Sequence, residues 1–152
     1  MMLSAEQAQG LAMFLIQGVE REVPTTKKVL AAFPNDKLGF TLGEKGRTAK
    51  DLMWHTVTSD IWFTEGISSG AFPESESKGA VPATSEEMAA QYESGMAAGM
   101  AKVKAMTPAQ LAKPISFFGI IQIAVPTALM AYDLFRPLLD DAAYRGLWHI
   151  FE

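Results

Sequence analysis

Apolar residues recur every three, four or seven positions over long stretches of this chain, and Pro- and Gly-rich stretches separate those segments. That spacing places them on one face of an α-helix. In the first segment the stripe consists of Leu11, Leu15, Val19, Val23 and Leu30. In the third it consists of Met88, Tyr92, Met96, Met100, Val103 and Met106. Such stripes are buried against other helices, and the pattern therefore predicts an all-α fold.

Helix starts are marked by residues whose side chains can cap a first turn. Ser4 is followed three residues later by Gln7, and Thr84 by Glu87, which is the spacing of a capping box. Thr48 is a plausible N-cap for a second helix that runs to about residue 68. Two adjacent faces of that helix are suited to packing against other helices. One consists of Leu52, His55, Ser59 and Trp62, and the other of Met53, Val57 and Ile61. A helix of this kind is expected to be largely buried.

Prolines and glycines divide the chain between and within these helices. Pro24 predicts a kink or a short break at Val23, because it lacks an N–H and crowds the preceding turn. Residues 70–83 predict a long loop, and residues 114–119 an extended connector. Thr107 and Pro108 predict the cap and first residue of one short helical turn.

A last helix is expected to begin near Ile121 or Pro126 and to run toward Ile150, with an interruption at Pro137. Long helices joined by two short connections and one long one are typical of a four-helix bundle. The chain of 152 residues has the size of one domain, and we interpret residues 1–152 as a single bundle with its long crossover between helices 2 and 3.

Composition excludes several classes of function. The net charge of -4 is a poor match for a phosphate backbone and disfavours nucleic-acid binding. The chain has no cysteine, which excludes a disulfide framework, a thiolate zinc site and a cysteine nucleophile. The start of the sequence lacks the pattern of a secretory signal, and its most apolar stretch, residues 115–139, is interrupted by Gly, Pro and charged residues. We therefore expect no membrane segment and a cytoplasmic location.

Several motifs resemble one known family. Residues 48–55, 59–63 and 66–72 are similar to the second helix of the DinB-like (YfiT-like) family of metal-dependent enzymes. Residues 29–34 and 113–119 fit the same pattern, so that the resemblance extends from about residue 5 to residue 136.

The resemblance implies a four-helix bundle of up-down-down-up topology that forms a homodimer. It also implies a divalent metal (nickel, zinc or manganese) bound by three histidines and a low-molecular-weight thiol as co-substrate. One histidine comes from the second helix and matches His55. The other two form an H-x-x-x-H array in the last helix, usually followed by Arg-Gly, but this chain has no histidine between His55 and His149. Two alignments of the array are possible. In one it falls on residues 137–141; in the other, residues 144–146 match His-Arg-Gly and the two histidine positions are Asp140 and Tyr144.

Four residues are candidate metal ligands, and each has a structural alternative. His55 is either a ligand or a buried histidine bonded to a neighbour. Asp140 and Asp141 could replace the missing histidines as oxygen ligands, or they form a solvated acidic patch in which Asp141 pairs with Arg145. His149 could complete the site if the last helix continues past Pro137, or it is a partly exposed terminal residue.

Two functional hypotheses follow. In the first, the protein is a metal-dependent thiol transferase or hydrolase-like enzyme with an atypical site, acting on a small-molecule substrate. In the second, it is a degenerate, metal-free and non-catalytic bundle that binds a small ligand or a partner subunit.

Overall fold

A computed structural model describes residues 3–41, 46–72, 79–117 and 121–130 of the chain. Three long helices dominate it: α1 (Ala5–Ala32), α2 (Ala49–Ser69) and α3 (Ser85–Lys104). A short helix α4 (Pro108–Leu111) and a hairpin of strands β1 (Pro114–Phe117) and β2 (Ile121–Ala124) follow, and residues 125–130 are again helical. A 3-10 turn, Asn35–Lys37, follows α1. The all-α class is confirmed, with one small hairpin added to it.

The predicted helix caps are present. The Ser4 and Thr84 hydroxyls accept hydrogen bonds from the backbone N–H groups of Gln7 and Glu87, whose side chains bond back to the cap residues. Thr48 accepts from the backbone N–H of Asp51. The short turn predicted after Thr107 is α4, which also begins with a complete capping box. These caps satisfy backbone donors that the first turn of a helix leaves without a partner.

Replacing the cap of α3 should weaken the fold measurably. In Thr84→Ala the N–H of Glu87 loses its acceptor, and we expect the free energy of unfolding to fall by about 1 kcal/mol. Urea denaturation followed by circular dichroism measures this change. Thr25→Ala, on the exposed side of α1, is the matched control and should leave the midpoint nearly unchanged. Equal midpoints for both variants would show that this cap does not contribute to stability.

Contacts between α1 and α3 show that these two helices are antiparallel. The backbone N–H of Ser85, at the start of α3, donates to Asn35 Oδ1 just after the end of α1, at 2.8 Å. Two ion pairs continue this opposite order: Lys27 pairs with Glu93, and Glu20, earlier in α1, pairs with Lys104, later in α3. The Asn35 amide also donates to Glu86 and, with the backbone N–H of Glu86, holds the pKa of that carboxyl below its ordinary value.

Helices α2 and α3 are parallel, because residues further along α2 contact residues further along α3. Tyr92 bonds to Asp60, Gly95 lies against Ile61, and Gly99 lies against Thr64. The first three helices therefore run up, down and down, as the resemblance implied. The connection between two parallel helices must return along the length of one helix, about 30 Å for 20 residues. The segment between Ser69 and Ser85 is long enough to do so.

The core lies between α1, α2 and α3, and α4 packs on α1. The predicted methionine stripe of α3 is confirmed, since Met88, Met96 and Met100 are buried. The first helix also follows its predicted stripe, with one exception. Leu11 is 39% exposed, because it lies at the edge of the arc that Ala8, Ala12, Leu15, Ile16 and Val19 bury.

Three local predictions were wrong or incomplete. Helix α1 is continuous through Pro24, so there is no break at Val23; Pro24 is exposed, where solvent can reach the carbonyl that it leaves unbonded. The connector at residues 114–119 contains strand β1, which pairs with β2 in an antiparallel register. A last helix starting at Ile121 is thereby excluded, because that residue is in β2. Residues 125–130 are helical and place Pro126 in the first turn, as the other alternative predicted.

Candidate functional site on α2

His55 lies in the second turn of α2, in a half-buried position. Its ring Nδ1 is 3.2 Å from the hydroxyl of Ser59, one turn further along the helix. If Nδ1–H donates to Ser59, the lone pair of the ring is on Nε2; if the hydroxyl donates, Nε2 carries the proton. The predicted face holds, since Leu52, His55, Ser59 and Trp62 are all half-buried.

Aromatic side chains surround the far end of this face. Trp62, Phe63 and Phe72 pack together, with ring centroids 4.9 Å apart for Trp62 and Phe72 and 5.1 Å for Phe63 and Phe72. Gly66 makes room for the Phe72 ring, because a Cβ atom there would lie 2.8 Å from the ring's Cγ. The backbone N–H of Phe72 donates to the carbonyl of Ser116 in β1, at 3.2 Å. The hairpin and the end of α2 therefore hold the aromatic cluster in place.

A buried carboxyl group on α2 was missed by the sequence reasoning. Asp60 is only 8% exposed, and its Oδ2 accepts a hydrogen bond of 3.0 Å from the hydroxyl of Tyr92, which is fully buried in α3. A signal was present, because Asp60 continues the spacing of Met53, Val57 and Thr64, all buried. The pair is a polar connection inside the α2–α3 interface.

The other candidate ligands, Asp140, Asp141 and His149, lie outside the described residues, as do Tyr144 and Arg145 of the alternative register. Within the part of the chain that the structure describes, no group of three or more His, Asp or Glu side chains could hold a metal. Catalytic zinc sites use three protein ligands, and α2 offers one candidate, His55. The described residues therefore fit a metal only in part.

None of the helices among the described residues is both long enough and apolar enough to cross a membrane.

The arrangement defines the class of protein: a helical bundle with antiparallel α1 and α3, parallel α2 and α3, and a half-buried histidine on α2. The sequence model of the DinB family matches residues 9–118, which is more than half of the chain. The chain therefore belongs to the DinB family.

Two crystal structures share this fold. A DinB-like protein from Bacillus cereus is 18% identical, with a TM-score of 0.73 and coverage of 90% of each chain. The DinB-like protein YjoA from Bacillus subtilis is 14% identical, with a TM-score of 0.69 and coverage of 91% of this chain and 92% of that one. No curated protein sequence matches this chain significantly. At these identities the likeness concerns the fold.

Proposed function

We propose that this DinB-family protein binds a divalent metal through His55 and acts on a small-molecule substrate as a thiol transferase or hydrolase-like enzyme. The observation that supports this function is the contact between His55 Nδ1 and Ser59. Metal-binding histidines usually donate the second ring N–H to a neighbouring acceptor, which fixes the ring and its tautomer. Ser59 Oγ is suited to that role, and the metal would then be bound through Nε2.

The remaining ligands are proposed to come from Asp140, Asp141 and His149. One imidazole together with carboxylates can bind nickel, zinc or manganese. Its affinity for nickel and zinc is lower than that of a three-histidine site. A bound metal supplies Lewis acidity and lowers the pKa of a coordinated thiol or water. The role of the chain's own residues is to hold this site beside α2, where Ser59 orients His55.

A metal-free bundle that binds a small ligand or a partner subunit is the second candidate function. It is favoured by the sequence of the last helix, where two histidines of the family's pattern are missing.

Metal content separates the two candidates. We expect protein purified without an affinity tag to contain about one equivalent of nickel, zinc or manganese by elemental analysis. His55→Ala should lose it, because the imidazole is the only nitrogen ligand that α2 supplies. Asp140→Ala and Asp141→Ala, tested singly, then show which carboxylate completes the site. Thr56→Ala, the neighbouring half-buried position, is the control and should retain the metal.

Two outcomes would contradict the metal site. If wild type and His55→Ala are both folded and metal-free, and added metal does not raise the melting temperature of either, the metal-dependent function is ruled out. If His55→Ala retains the full equivalent of metal, the ligands lie elsewhere. Circular dichroism must show that each variant is folded.

A further inference from the structure

The side of α2 that carries His55 also carries a tryptophan. Trp62 lies about two turns after His55, and Ser59 lies between them on the same side of the helix. At a rise of about 1.5 Å per residue, His55 and Trp62 are separated by about 10.5 Å along the axis. All three side chains are half-buried, so each leaves part of its surface accessible. A small molecule beside His55 is therefore within reach of the Trp62 ring.

Neighbouring rings hold the Trp62 indole in place. Phe63 packs edge-on against it, with the ring centroids 5.8 Å apart and the planes at 76°. Phe72 lies at 4.9 Å and is tilted by 51°. Phe72 is itself buried and is bonded through its backbone N–H to Ser116 of β1. A ring fixed in this way loses little conformational freedom when a ligand packs on it.

The chemistry of α2 around these rings favours an uncharged group. Between Asp51 and Glu65, the only side chain of α2 with a carboxyl, amine or guanidinium group is Asp60. Asp60 is buried and bonded to α3, where it does not share the side of His55 and Trp62. On this side of the helix, α2 therefore offers no cation for a carboxylate or a phosphate, whereas Trp62 and Phe63 offer half-buried rings.

We propose that Trp62 is a substrate-binding residue, and that the substrate carries an aromatic ring that packs on the indole while its reacting group lies beside His55. The inference rests on the proposed function for the position of the reacting group. Two aromatic rings in an offset-stacked or edge-to-face arrangement gain more than the burial of their apolar area. An aliphatic group of similar size gains the burial alone. Trp62 therefore selects aromatic substrates over aliphatic ones.

Two hydroxamates test this preference on metal-loaded protein. Benzohydroxamate and acetohydroxamate bind a divalent metal through the same two oxygen atoms, and only the first carries a ring. We expect titration calorimetry to give benzohydroxamate a dissociation constant about tenfold lower than that of acetohydroxamate. Trp62→Leu should abolish this ratio and leave the affinity for acetohydroxamate unchanged, whereas Trp62→Phe retains a ring and should preserve most of it. Phe14→Leu, at an exposed aromatic residue of α1, is the matched control and should keep the full ratio.

A second measurement does not depend on a metal. In protein treated with EDTA, phenol should shift the indole N–H resonance of Trp62 in a proton–nitrogen correlation spectrum. Cyclohexanol, which is similar in size but not aromatic, should shift it much less. The chain has three tryptophans, and Trp62→Phe identifies the resonance by its loss.

The two measurements separate the aromatic site from the metal site. Phenol binding at Trp62 in a protein that takes up no metal would support the aromatic site and exclude the metal-dependent function. Equal affinities for the two hydroxamates, or a ratio unchanged in Trp62→Leu, would overturn the aromatic preference and leave the metal site standing. Circular dichroism must show that Trp62→Leu is folded. If it is not, the comparison of phenol with cyclohexanol on wild type decides, and equal shifts would overturn the proposal.

Discussion

Gly99→Ala should destabilise the protein strongly, although alanine is the better helix former. A Cβ atom at Gly99 would overlap the hydroxyl of Thr64 and lie 2.7 Å from its Cβ. Thr64 is buried on α2, and its Cβ moves only with the helix backbone. Overpacking of this kind costs about 3 kcal/mol, and the helix preference of alanine returns about 1 kcal/mol. We expect a net loss of about 2 kcal/mol and a melting temperature lower by roughly 4 to 8 °C.

Three further variants identify the cause of that loss. Gly95→Ala should be milder, because the atoms it meets are at the flexible end of Ile61. Gly39→Ala should be nearly neutral, since a Cβ atom there meets nothing within 4 Å. Adding Thr64→Ala to Gly99→Ala should cost less than the two single changes predict. Calorimetry and urea denaturation measure these variants and Thr64→Ala alone, and a Gly99→Ala variant as stable as Gly39→Ala would show that α2 and α3 are not this close.

The helix starts could be predicted from sequence because their causes are local. The Ser4, Thr48, Thr84 and Thr107 caps each depend on residues within one turn, and all four were found where they were expected. The stripe of α3 was predicted for the same reason, since its spacing is a property of one helix. Local signals of this kind decide the number, the bounds and the buried faces of the main helices.

Features that depend on a second element were harder to predict. Nothing near Gly99 in the sequence indicates that Thr64 lies opposite it. Residues 114–119 were predicted to be an extended connector, and Ile121 was one alternative for the start of the last helix, whereas the two segments pair as strands β1 and β2. Yet apolar and polar residues alternate in both strands, as in Ile115, Ser116 and Phe117, which is the pattern of a strand.

The candidate site was predicted in part for the same physical reason. The half-buried position of His55 and the shared face with Ser59 follow from helical spacing on α2. The identity of any further ligand depends on which residue of another helix faces His55, and spacing along one helix does not determine that. Asp60 is not among the residues singled out from the sequence, although its spacing from Met53 and Val57 places it among buried residues.

Tyr92→Phe should reveal how much the buried pair contributes to the α2–α3 interface. The change removes only the hydroxyl that donates to Asp60 Oδ2, and it leaves the ring in the core. A carboxyl that is 8% exposed cannot readily exchange the lost donor for bulk water. We expect the free energy of unfolding to fall by about 2 kcal/mol, because a buried carboxyl oxygen loses this donor. Urea denaturation measures the loss.

A double-mutant cycle with Asp60→Ala isolates the interaction from the other contacts of either residue. In that background the Tyr92 hydroxyl has lost its acceptor on Asp60, so Tyr92→Phe should be neutral or slightly stabilising. A cost of Tyr92→Phe that is the same with and without Asp60 would mean that the hydroxyl acts through another partner. A smaller cost in Asp60→Ala shows that the bond joins the two helices energetically. The parallel packing of α2 and α3 then depends on a polar contact in its interior and on the close approach at Gly99.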